Sequence, residues 1–397
     1  MKRILLYSPF IKVGGIEKVS IEYLNALLQK DYKVDLLIDF DMGKDGNTFE
    51  FAIPKGVNFQ YIKSERISKF IYFFRTLGKK NNIFNIFLYG FIILFDFYYY
   101  HTKVKKLVRN KKYDYIISFY QFLPAYITNI KSAKHMIWLH NPIETFFGGI
   151  KNLFVNNFEK KLNKYDYIIT IANEMREELI DFYPNLPKDK IKRVYNPFDF
   201  EMIKKKSMNN LNLNEADEKL LNSKYICTVA RLDETHKDIT TLIKAYSSLY
   251  QMNKIKHKLY IIGDGPDKLQ LETLVRELKL SDEILFLGKR VNPYIWMRCA
   301  DIFILSSKFE GFGLVLVEAM CVETFVISSN CKTGPNEILL NGRCGDLVDV
   351  GDINILAQKI KYVLENKEYR EGKIHKASKR INEFSKELVL TEVEKLF

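Results

Sequence analysis

Two carboxylates, Glu310 and Glu318, lie eight positions apart in the stretch SSKFEGFGLVLVEAM, residues 306–320. Glu310 stands beside Gly311 and Gly313, and Glu318 follows among apolar residues. Carboxylates are rarely placed in apolar surroundings without a partner. Each can accept two O–H donors, so the pair suits a polyhydroxy ligand such as a ribose or a hexose. A helix with one acidic cap and one solvated glutamate is the alternative that spacing alone leaves open.

Backbone amides and two cations could complete this site. A helix is predicted to begin near Gly313, and its first N–H groups are free to bind an anion. In VARLDETHKD, Arg231 and Lys237 lie in the loop after a predicted strand. An arginine fork and a lysine charge together fit a diphosphate, although a basic pair in a loop is usually just solvated.

The first half of the chain offers weaker candidates. Gly14 and Gly15 lie between the first predicted strand and a helix, where backbone N–H groups can meet a phosphate or a sugar. The pattern is not G-x-G-x-x-G, so a nicotinamide cofactor is not favoured. His140 ends a predicted strand and is either structural or directed at a ligand. Residues 39–41 resemble a metal-holding D-x-D only weakly, and no His/Cys cluster has zinc spacing.

Short apolar runs alternate with helical patterns along the chain, which indicates parallel sheets built from strand–helix–strand units. Strands are predicted at residues 3–7, 33–38, 113–118, 135–139 and 166–170, and again at 225–229, 258–262, 284–287, 302–305 and 325–327. Each set suffices for its own sheet. The predicted fold class is therefore α/β, with two Rossmann-like doubly wound domains facing across a cleft at the carboxyl ends of their strands.

Domain boundaries follow from breaks in this pattern. Asn196-Pro197 interrupts regular structure, so we predict a first domain over residues 1–195 and a second over 196–376. Residues 377–390 have an apolar stripe and are predicted to form one helix. The segment 377–397 is expected to cross back to the first domain.

Most of the net charge of +13 lies in an insert at residues 66–112, which holds eleven Lys and Arg against one acid, Asp96. Apolar residues spaced as on a helix, with cations between them, are typical of a helix that lies on an anionic membrane. The run 83–100 is nearly long enough to span a bilayer. A span would separate strands of one sheet, so it is rejected. Helices that merely cover the sheet remain the alternative.

The cysteines bear on the cellular compartment. Five are present, an odd number, and none forms a C-x-x-C pair. This pattern suits a reducing cytoplasm rather than a disulfide framework. With the basic insert, it predicts a cytoplasmic protein, peripheral on the inner face of the cell membrane.

The chain resembles the retaining family-4 glycosyltransferases, which have the GT-B fold. The resemblance covers nearly the whole chain and is strongest over residues 225–350, in VARLDETHKD, IIGDGPDKLQLE, FLGKRVNPYIWMRCADIFILSSKFEGFGLVLVEAM and SSNCKTGPNEI. In the first half, GGIEKVSIEYLNAL and WLH are similar to the family's glycine loop and cleft histidine.

The resemblance implies a nucleotide-sugar donor bound mainly by residues 196–376 and an acceptor bound by residues 1–195. It implies that Arg231 and Lys237 hold the diphosphate, that Glu310 contacts the sugar and that Glu318 contacts the ribose. The other donor contacts that it implies are Gly14 and Gly15, His140, Lys289 and Arg290 at the base, and Gly311, Phe312, Gly313 and Leu314 at the sugar and β-phosphate.

The implied reaction is front-face transfer with retention, in polysaccharide biosynthesis. The donor would be a UDP-sugar by family habit, carrying a hexose or an N-acetylhexosamine, and the acceptor a lipid-linked or cell-surface glycan. His140, Arg231, Lys237 and Glu310 would be catalytic, with Glu310 not a covalent nucleophile. No metal, no cofactor and no nucleic-acid partner is implied.

Several positions depart from the family pattern. Ala230, Asp238 and Glu323 stand where glycine is usual, and Phe325 where proline is usual. Because a non-glycine residue in a left-handed helix cap costs on the order of 1 kcal/mol, we expect the turn at Glu323 to be built differently.

Other function classes stay open. A nucleotide-sugar epimerase of similar fold would act without an acceptor, and a non-enzymatic scaffold would use only the basic surface that binds membrane or nucleic acid. A glycoside hydrolase with two carboxylates would have no use for Arg231 and Lys237.

Overall fold

The computed structural model describes residues 1–12, 14–77, 83–119, 122–123, 125–142, 155–210 and 213–397. These residues divide into two units. Unit 1 contains Met1–Ile171, Arg176–Pro197 and Leu390–Phe397, and unit 2 contains Ala172–Met175 and Phe198–Val389.

The sheet of unit 1 has seven parallel strands. They are β1 (Arg3–Ser8), β2 (Lys33–Phe40), β3 (Asn58–Lys63), β4 (Tyr115–Ser118), β5 (Lys134–Leu139), β6 (Tyr167–Thr170) and β7 (Ile191–Arg193). The spatial order is β3-β2-β1-β4-β5-β6-β7. Continuous branched and aromatic runs such as ILLY form the central strands, because helices cover a parallel sheet on both faces and leave no polar side.

Six helices alternate with these strands in the described part of the first half. They are α1 (Gly15–Gln29), α2 (Glu65–Leu77), α3 (Ile83–Val108), α4 (Ala125–Thr128), α5 (Val155–Leu162) and α6 (Asn173–Phe182). The inner face of α1 shows how they attach. Its buried Tyr23 packs against the rings of Phe119 and Trp138, with centroids 4.9 and 5.6 Å away.

The sheet of unit 2 has six parallel strands in the order β10-β9-β8-β11-β12-β13. They are β8 (Tyr225–Val229), β9 (Lys258–Ile262), β10 (Ile284–Gly288), β11 (Ile302–Leu305), β12 (Phe325–Ser329) and β13 (Asp346–Val348). The remaining helices are α7 (Phe200–Ser207), α8 (Glu215–Leu221), α9 (Ile239–Gln251), α10 (Lys268–Glu277), α11 (Tyr294–Arg298), α12 (Leu314–Cys321), α13 (Pro335–Ile338), α14 (Ile353–Glu365), α15 (Lys367–Arg380) and α16 (Lys386–Glu394).

The predicted α/β class with two parallel, doubly wound sheets is confirmed, and every predicted strand is present. Three strands were missed: β3, β7 and β13. All three lie at sheet edges, and two of them have only three residues. Their sequences NFQYIK, IKR and DLV mix polar with apolar residues, so they lack the continuous apolar run that identifies a central strand.

The chain over residues 377–390 is not the single helix that the sequence predicted. The helix α15 ends at Arg380, a 3₁₀ turn covers Ile381–Phe384, and α16 begins at Lys386. Between them Ser385 is extended, because it pairs with Phe198 in an isolated parallel β-bridge. The N–H of Phe198 donates to the carbonyl of Phe384, and the N–H of Lys386 donates to the carbonyl of Phe198. A tertiary bridge thus overrides the helical periodicity.

The last residues of the chain belong to unit 1. The ring of Phe397 stacks on that of Tyr115 with centroids 4.3 Å apart, and the Phe397 carbonyl accepts a hydrogen bond from Lys2 at 3.1 Å. Lys30 forms an ion pair with Glu394 at 3.2 Å. These contacts fix Leu390–Phe397 against β4, the residue before β1 and the residue after α1.

The helix α3 is attached to the sheet of unit 1 through a buried ion cluster. Lys63, at the end of β3, is almost fully buried and pairs with Asp39 of β2 and, at 3.0 Å, with Asp96 of α3. Its ammonium lies 4.0 and 4.7 Å from the ring centroids of Phe40 and Tyr100. A desolvated ammonium requires partners of this kind.

The helix α3 has a buried stripe and an exposed face. The buried residues are Ile92, Asp96, Tyr100, Val104 and Val108, each four positions from the last. Six neighbouring large apolar residues are exposed, namely Phe91, Ile93, Leu94, Phe95, Phe97 and Tyr98. The helix therefore covers the sheet, as one alternative predicted, and also presents an apolar face. Lys79 and Lys80, counted in the basic insert, lie outside the described residues. Within the described ranges, no helix combines the length and apolarity that a bilayer crossing needs.

The turn after α12 corrects an expectation. Glu323 adopts a left-handed conformation with φ of 62°. The turn therefore has the same backbone conformation as a turn that carries glycine, and the expectation of a different turn is wrong. Its N–H donates to the carbonyl of Met320, and the N–H of Thr324 donates to that of Ala319, which completes a Schellman motif. Asp238 is likewise left-handed at φ 47°. The hydrogen bonds of the turn and the surrounding packing offset the local strain.

Replacing Glu323 with glycine is therefore expected to stabilise unit 2. Relief of the left-handed strain outweighs the added chain entropy of glycine, and we expect the free energy of unfolding to rise by about 0.5 kcal/mol. Urea unfolding followed by circular dichroism measures the change. Glu323→Ala is the control, because alanine removes the same carboxylate but keeps the strained φ. An equal gain in both variants would show that the charge, not the backbone, matters.

Candidate functional site

The strand order of the second sheet changes direction between β8 and β11. From β8 the sheet continues through β9 to β10, and from β11 it continues through β12 to β13. Loops that leave the carboxyl ends of β8 and β11 therefore run to opposite sides and open a crevice, where ligands of doubly wound sheets bind. The loop after β8 carries Arg231 and Lys237, and the loop after β11 carries Glu310.

Lys237 and Glu310 form an ion pair across this crevice, with 2.5 Å between Nζ and Oε1. The side chain of Lys237 is 22% exposed and that of Glu310 is 11% exposed. Both charges are largely withdrawn from water, and each therefore needs a partner of opposite sign or a set of hydrogen bonds. The structure thus brings together two residues that the sequence predicted from loops more than seventy positions apart.

The glycine-rich segment after Glu310 leads into α12. Gly313, with φ of 95°, is the residue before the helix, and a side chain there would strain the backbone. The N–H groups of Leu314 and Val315 at the start of α12 have no acceptor within the helix and can bind an anion, whereas that of Leu316 donates to the carbonyl of Gly313. Gly334 is required for another reason, because a Cβ at that position would collide with the carbonyl oxygen of Phe312. The predicted helix start is therefore present beside the ion pair.

Glu318 lies within α12 and is buried. The alternative that this residue is a solvated glutamate on a helix surface is wrong. Glu310, the other carboxylate of the opening pattern, is held by Lys237 rather than standing as a free helix cap.

Arg231 is placed differently from Lys237, although both follow β8. Its side chain is 70% exposed, and its Nε lies 4.0 Å from Oδ2 of Asp233. A hydrogen bond from Thr235, with another from His236, holds the pKa of Asp233 below its usual value, so this carboxylate stays ionised. Arg231 thus stands at the surface of the loop as an available cation, while Lys237 lies inside it.

The two residues predicted at the nucleotide base follow the edge strand β10. Lys289 is exposed. Arg290 makes two hydrogen bonds to the carboxylate of Asp217, at 2.8 and 3.1 Å, and its guanidinium lies 5.0 Å from the ring centroid of Trp296. The structure therefore does not bring Arg290 to the Lys237–Glu310 pair but joins it to α8 and α11.

The glycine loop of unit 1 contains an acid that the sequence analysis missed. Gly14 precedes α1 in an extended conformation, and Gly15 is the first residue of the helix. The carboxylate of Glu17 folds over this end, so that a Cβ on Gly14 would collide with it. Burial raises the pKa of Glu17, although its own N–H and the charge of Lys12 act in the opposite direction. The sequence signal that could have identified Glu17 is its place three residues after Gly14, because an acid at the third position of a helix commonly folds back over the helix start.

His140 directly follows β5 and is buried, with its ring 5.9 Å from that of Phe119. Burial lowers the pKa of His140 to about 3. Its Nε2 has no hydrogen-bond partner in the described part of the chain. At neutral pH the imidazole is uncharged, so it can donate or accept one hydrogen bond but cannot neutralise a diphosphate.

The acids of residues 39–41 have structural partners. Asp39 pairs with Lys63, and Oδ1 of Asp41 accepts hydrogen bonds from the N–H of Gly43 at 2.9 Å and from Asn47 at 2.8 Å. Among the described residues, no group of His, Cys, Asp or Glu side chains is arranged to hold a metal ion.

Four hydroxyl groups next to the ion pair were also missed. They belong to Ser306, Ser307, Ser329 and Thr333, which are all buried. The serine pairs at 306–307 and 328–329 at the ends of β11 and β12 were the available signal. Serine after a strand usually indicates only a loop, and its hydrogen-bond partner depends on how strands from distant parts of the chain are arranged.

Two family models match the chain. The model described as Glycosyltransferase Family 4 matches residues 13–202, and that described as Glycosyl transferases group 1 matches residues 212–380. The chain belongs to the family-4 glycosyltransferases. The family resemblance predicted from the sequence motifs is confirmed.

Two curated glycosyltransferases illustrate the relatives of this family-4 chain. The N-acetylgalactosamine-N,N'-diacetylbacillosaminyl-diphospho-undecaprenol 4-alpha-N-acetylgalactosaminyltransferase of Campylobacter jejuni is 32% identical over 240 residues, which cover 58% of this chain and 62% of that protein. The capsular polysaccharide biosynthesis glycosyltransferase CapM of Staphylococcus aureus is 27% identical over 241 residues, covering 58% and 60%. The match thus spans about three-fifths of the length of each relative.

Solved glycosyltransferase structures show the fold. HepE of Anabaena, in complex with UDP and glucose, has a TM-score of 0.75 at 19% identity, with 100% of this chain and 99% of that chain covered. TarM of S. aureus, in complex with UDP, fondaparinux and alpha-GlcNAc-glycerol, has a TM-score of 0.74 at 16% identity, with 100% and 99% covered. The two Rossmann-like α/β domains therefore have the GT-B fold.

The low pKa of His140 gives a prediction about acid stability. The unfolded chain takes up a proton at this histidine below a pH of about 6.5, whereas the folded chain does so only near pH 3, so acid favours unfolding in that window. We expect His140→Gln to remove this contribution. When the pH is lowered from 7 to 5, the free energy of unfolding should fall by about 2 kcal/mol less in the variant than in the wild type.

Chemical denaturation at both pH values measures this difference. The control is His375→Gln, which makes the same substitution at an exposed histidine of α15. A pH dependence in His140→Gln that equals that of the wild type would show that His140 titrates normally.

Proposed function

We propose that this family-4 protein is a retaining glycosyltransferase that moves a hexose or an N-acetylhexosamine from a UDP-sugar to a lipid-linked or cell-surface glycan. The observation that carries the proposal is the Lys237–Glu310 pair at the ends of β8 and β11, beside the start of α12. HepE and TarM were solved with UDP, and the C. jejuni relative is named for transfer of N-acetylgalactosamine onto a diphospho-undecaprenol glycan.

The donor diphosphate is assigned to the cations and the helix end. Lys237 stands beside the start of α12 and Arg231 is exposed on the same loop, so a lysine charge, an arginine fork and free N–H groups are available. Glu310 then accepts hydroxyl groups of the sugar. Backbone groups of Phe312, Gly313 and Leu314 contact the sugar and the β-phosphate.

The remaining donor contacts are proposed from the family pattern. Buried Glu318 binds the ribose, and Lys289 and Arg290 contact the base. Arg290 would make this contact while it remains hydrogen-bonded to Asp217. From unit 1, Gly14, Gly15 and His140 contribute, with His140 acting as a neutral hydrogen-bonding group.

Transfer with retention follows from a front-face reaction. The bond between the anomeric carbon and the diphosphate oxygen breaks, and its electron pair stays on the diphosphate. The acceptor oxygen bonds to the anomeric carbon from the same face, and its proton passes to the departing diphosphate. Lys237, Arg231 and the N–H groups of α12 stabilise the charge on the leaving group, and the proposal assigns no metal to this step.

A membrane-bound acceptor accounts for the exposed face of α2 and α3. The apolar part consists of Phe91, Leu94, Phe97 and Tyr98 of α3, with Phe70 and Phe73 of α2, and all of these are exposed. The last turns of α3 and the residues after it carry exposed Lys103, Lys105, Lys106, Arg109 and Lys112. Aromatic residues that enter the lipid interface beside cations at the headgroups are typical of peripheral membrane helices.

An anionic bilayer fits this surface better than a second copy of the chain. Two copies joined through the same face would place the lysines of α3 against each other, whereas acidic lipid headgroups complement them. We therefore propose that the protein works at the cytoplasmic side of the cell membrane, where α2 and α3 bring unit 1 to a lipid-linked acceptor.

Removing either member of the ion pair is expected to abolish sugar transfer. Glu310→Ala and Lys237→Ala should each lower kcat/KM by about 100-fold or more. The first variant loses the acceptor of the sugar hydroxyl groups, and the second loses charge stabilisation of the leaving group in a desolvated site. The assay is nucleoside diphosphate release with and without native membrane lipid, using a panel of UDP-sugars. Acceptor-dependent release also separates a transferase from an epimerase.

The matched control is Arg370→Ala, which breaks another partly buried ion pair of unit 2, with Asp301 at 3.0 Å. It should keep its activity. Full activity in Glu310→Ala or in Lys237→Ala would contradict the site assignment.

The membrane face is tested with lipid vesicles. Replacing Lys103, Lys105 and Lys106 with glutamine should lower partitioning onto phosphatidylglycerol vesicles by about tenfold or more. Replacing Phe91, Leu94 and Phe97 with serine should lower it on both anionic and neutral vesicles. The controls are Lys367, Lys376 and Lys379→Gln on exposed positions of α15, and Phe51→Ser, an aromatic residue exposed elsewhere in unit 1.

Partitioning that is unchanged in the variants of α3 would return α2 and α3 to a purely structural role. Concentration-dependent dimerisation of the wild type that the serine variant loses would instead identify a second copy as the occupant of this face.

A further inference from the structure

Four buried hydroxyl groups converge on the Lys237–Glu310 pair, and we name them the hydroxyl scaffold. Ser306 Oγ donates to the carbonyl of Lys237 at 3.0 Å, and Ser307 Oγ donates to Oε1 of Glu310 at 2.6 Å. Thr333 Oγ1 donates to the carbonyl of Glu310 at 2.5 Å, and Ser329 Oγ donates to the carbonyl of Ser307 at 2.5 Å. Each hydroxyl thus holds either a member of the pair or a residue that supports one.

Ser307 fixes the direction of the Glu310 carboxylate. Its hydroxyl and the ammonium of Lys237 both donate to Oε1. Within the described residues Oε2 accepts no hydrogen bond, so it is the oxygen left for a ligand. A carboxylate anchored at one oxygen by two donors has little freedom to rotate, and the other oxygen is presented at a fixed place.

Thr333 fixes the backbone that carries the same carboxylate. It is fully buried and has φ of 64°, followed by Gly334 at 91°. These two residues with positive φ turn the segment after β12 onto the glycine-rich segment, so closely that a Cβ at Gly334 would collide with the carbonyl oxygen of Phe312. A non-glycine residue in such a conformation is strained, and strain of this kind persists where the surrounding structure determines it, commonly at functional sites.

From this geometry we infer that Ser307 and Thr333 are positioning residues for recognition of the donor sugar, acting through Glu310. The inference rests on the proposed function, in which Glu310 binds the sugar hydroxyls and the cations bind the diphosphate. It requires that loss of either hydroxyl weakens binding of the sugar part of the donor and leaves binding of the diphosphate part intact.

The test compares two ligands on the full chain. Isothermal titration calorimetry measures the affinity for UDP and for the tightest binder among UDP-glucose, UDP-N-acetylglucosamine and UDP-N-acetylgalactosamine. In Thr333→Val, which keeps the branched shape and removes the hydroxyl, we expect the UDP-sugar to bind about tenfold more weakly, and UDP to stay within about twofold. Thr333→Ser, which restores a hydroxyl, should recover most of the loss.

Thr324→Val is the matched control. Thr324 is also buried, and its hydroxyl donates to the carbonyl of Met297 at 2.7 Å, so the variant loses the same kind of bond elsewhere in unit 2. It should change neither affinity. Equal weakening of UDP and UDP-sugar in Thr333→Val would show a general structural role and overturn the inference, as would unchanged binding of both.

Ser307→Ala keeps the inference testable if Thr333→Val fails to fold. The same selective loss is expected. In a Glu310→Gln background, Ser307→Ala should cause no further loss, because a residue that acts through Glu310 has no separate effect. Additive losses would contradict the inference.

If the wild type binds neither UDP nor any UDP-sugar, the proposed function fails. If the wild type binds both and neither hydroxyl variant is selective, only the inference fails.

Discussion

The Lys237–Glu310 ion pair is the interaction on which the rest of the site depends. Two opposite charges are held in largely desolvated surroundings, where each would be costly alone. In the free chain they satisfy each other. A bound nucleotide sugar offers the same compensation in another form, since a diphosphate supplies negative charge to the lysine and hydroxyl groups supply donors to the carboxylate. Under the proposed function, the groups that recognise the ligand are therefore the same groups that compensate each other's charge within the protein.

The sheet topology explains why this pair can form. Lys237 and Glu310 come from loops that follow β8 and β11, which are neighbours in the sheet although β9 and β10 lie between them in the chain. The reversal of strand order at this point separates the two loops to either side of the crevice. The buried serines at the ends of β11 and β12 then connect the loops to the sheet. Rigid strands thus determine where the charges stand, and the hydroxyl groups determine how they point.

The central strands and the charged site residues could be predicted from the sequence because each has a local signal. A buried parallel strand is a continuous apolar run, and a carboxylate in apolar surroundings stands out. The edge strands β3, β7 and β13 lack such a run. The break of the helix at Ser385 and the hydrogen-bond partner of Thr333 depend on segments distant in the chain. Neither residue type nor periodicity reports contacts of that kind.

The orientation of α3 follows from its single acid. Asp96 faces inward and pairs with Lys63, which it shares with Asp39 of the sheet. Burial of this carboxylate anchors the helix and also withdraws the only negative charge of the insert from its outer surface. The outward side is left with aromatic residues along its first part and lysines and arginines along its last part. One buried ion cluster therefore both attaches α3 to unit 1 and gives its exposed face a single sign of charge, which is the property that an anionic lipid surface selects.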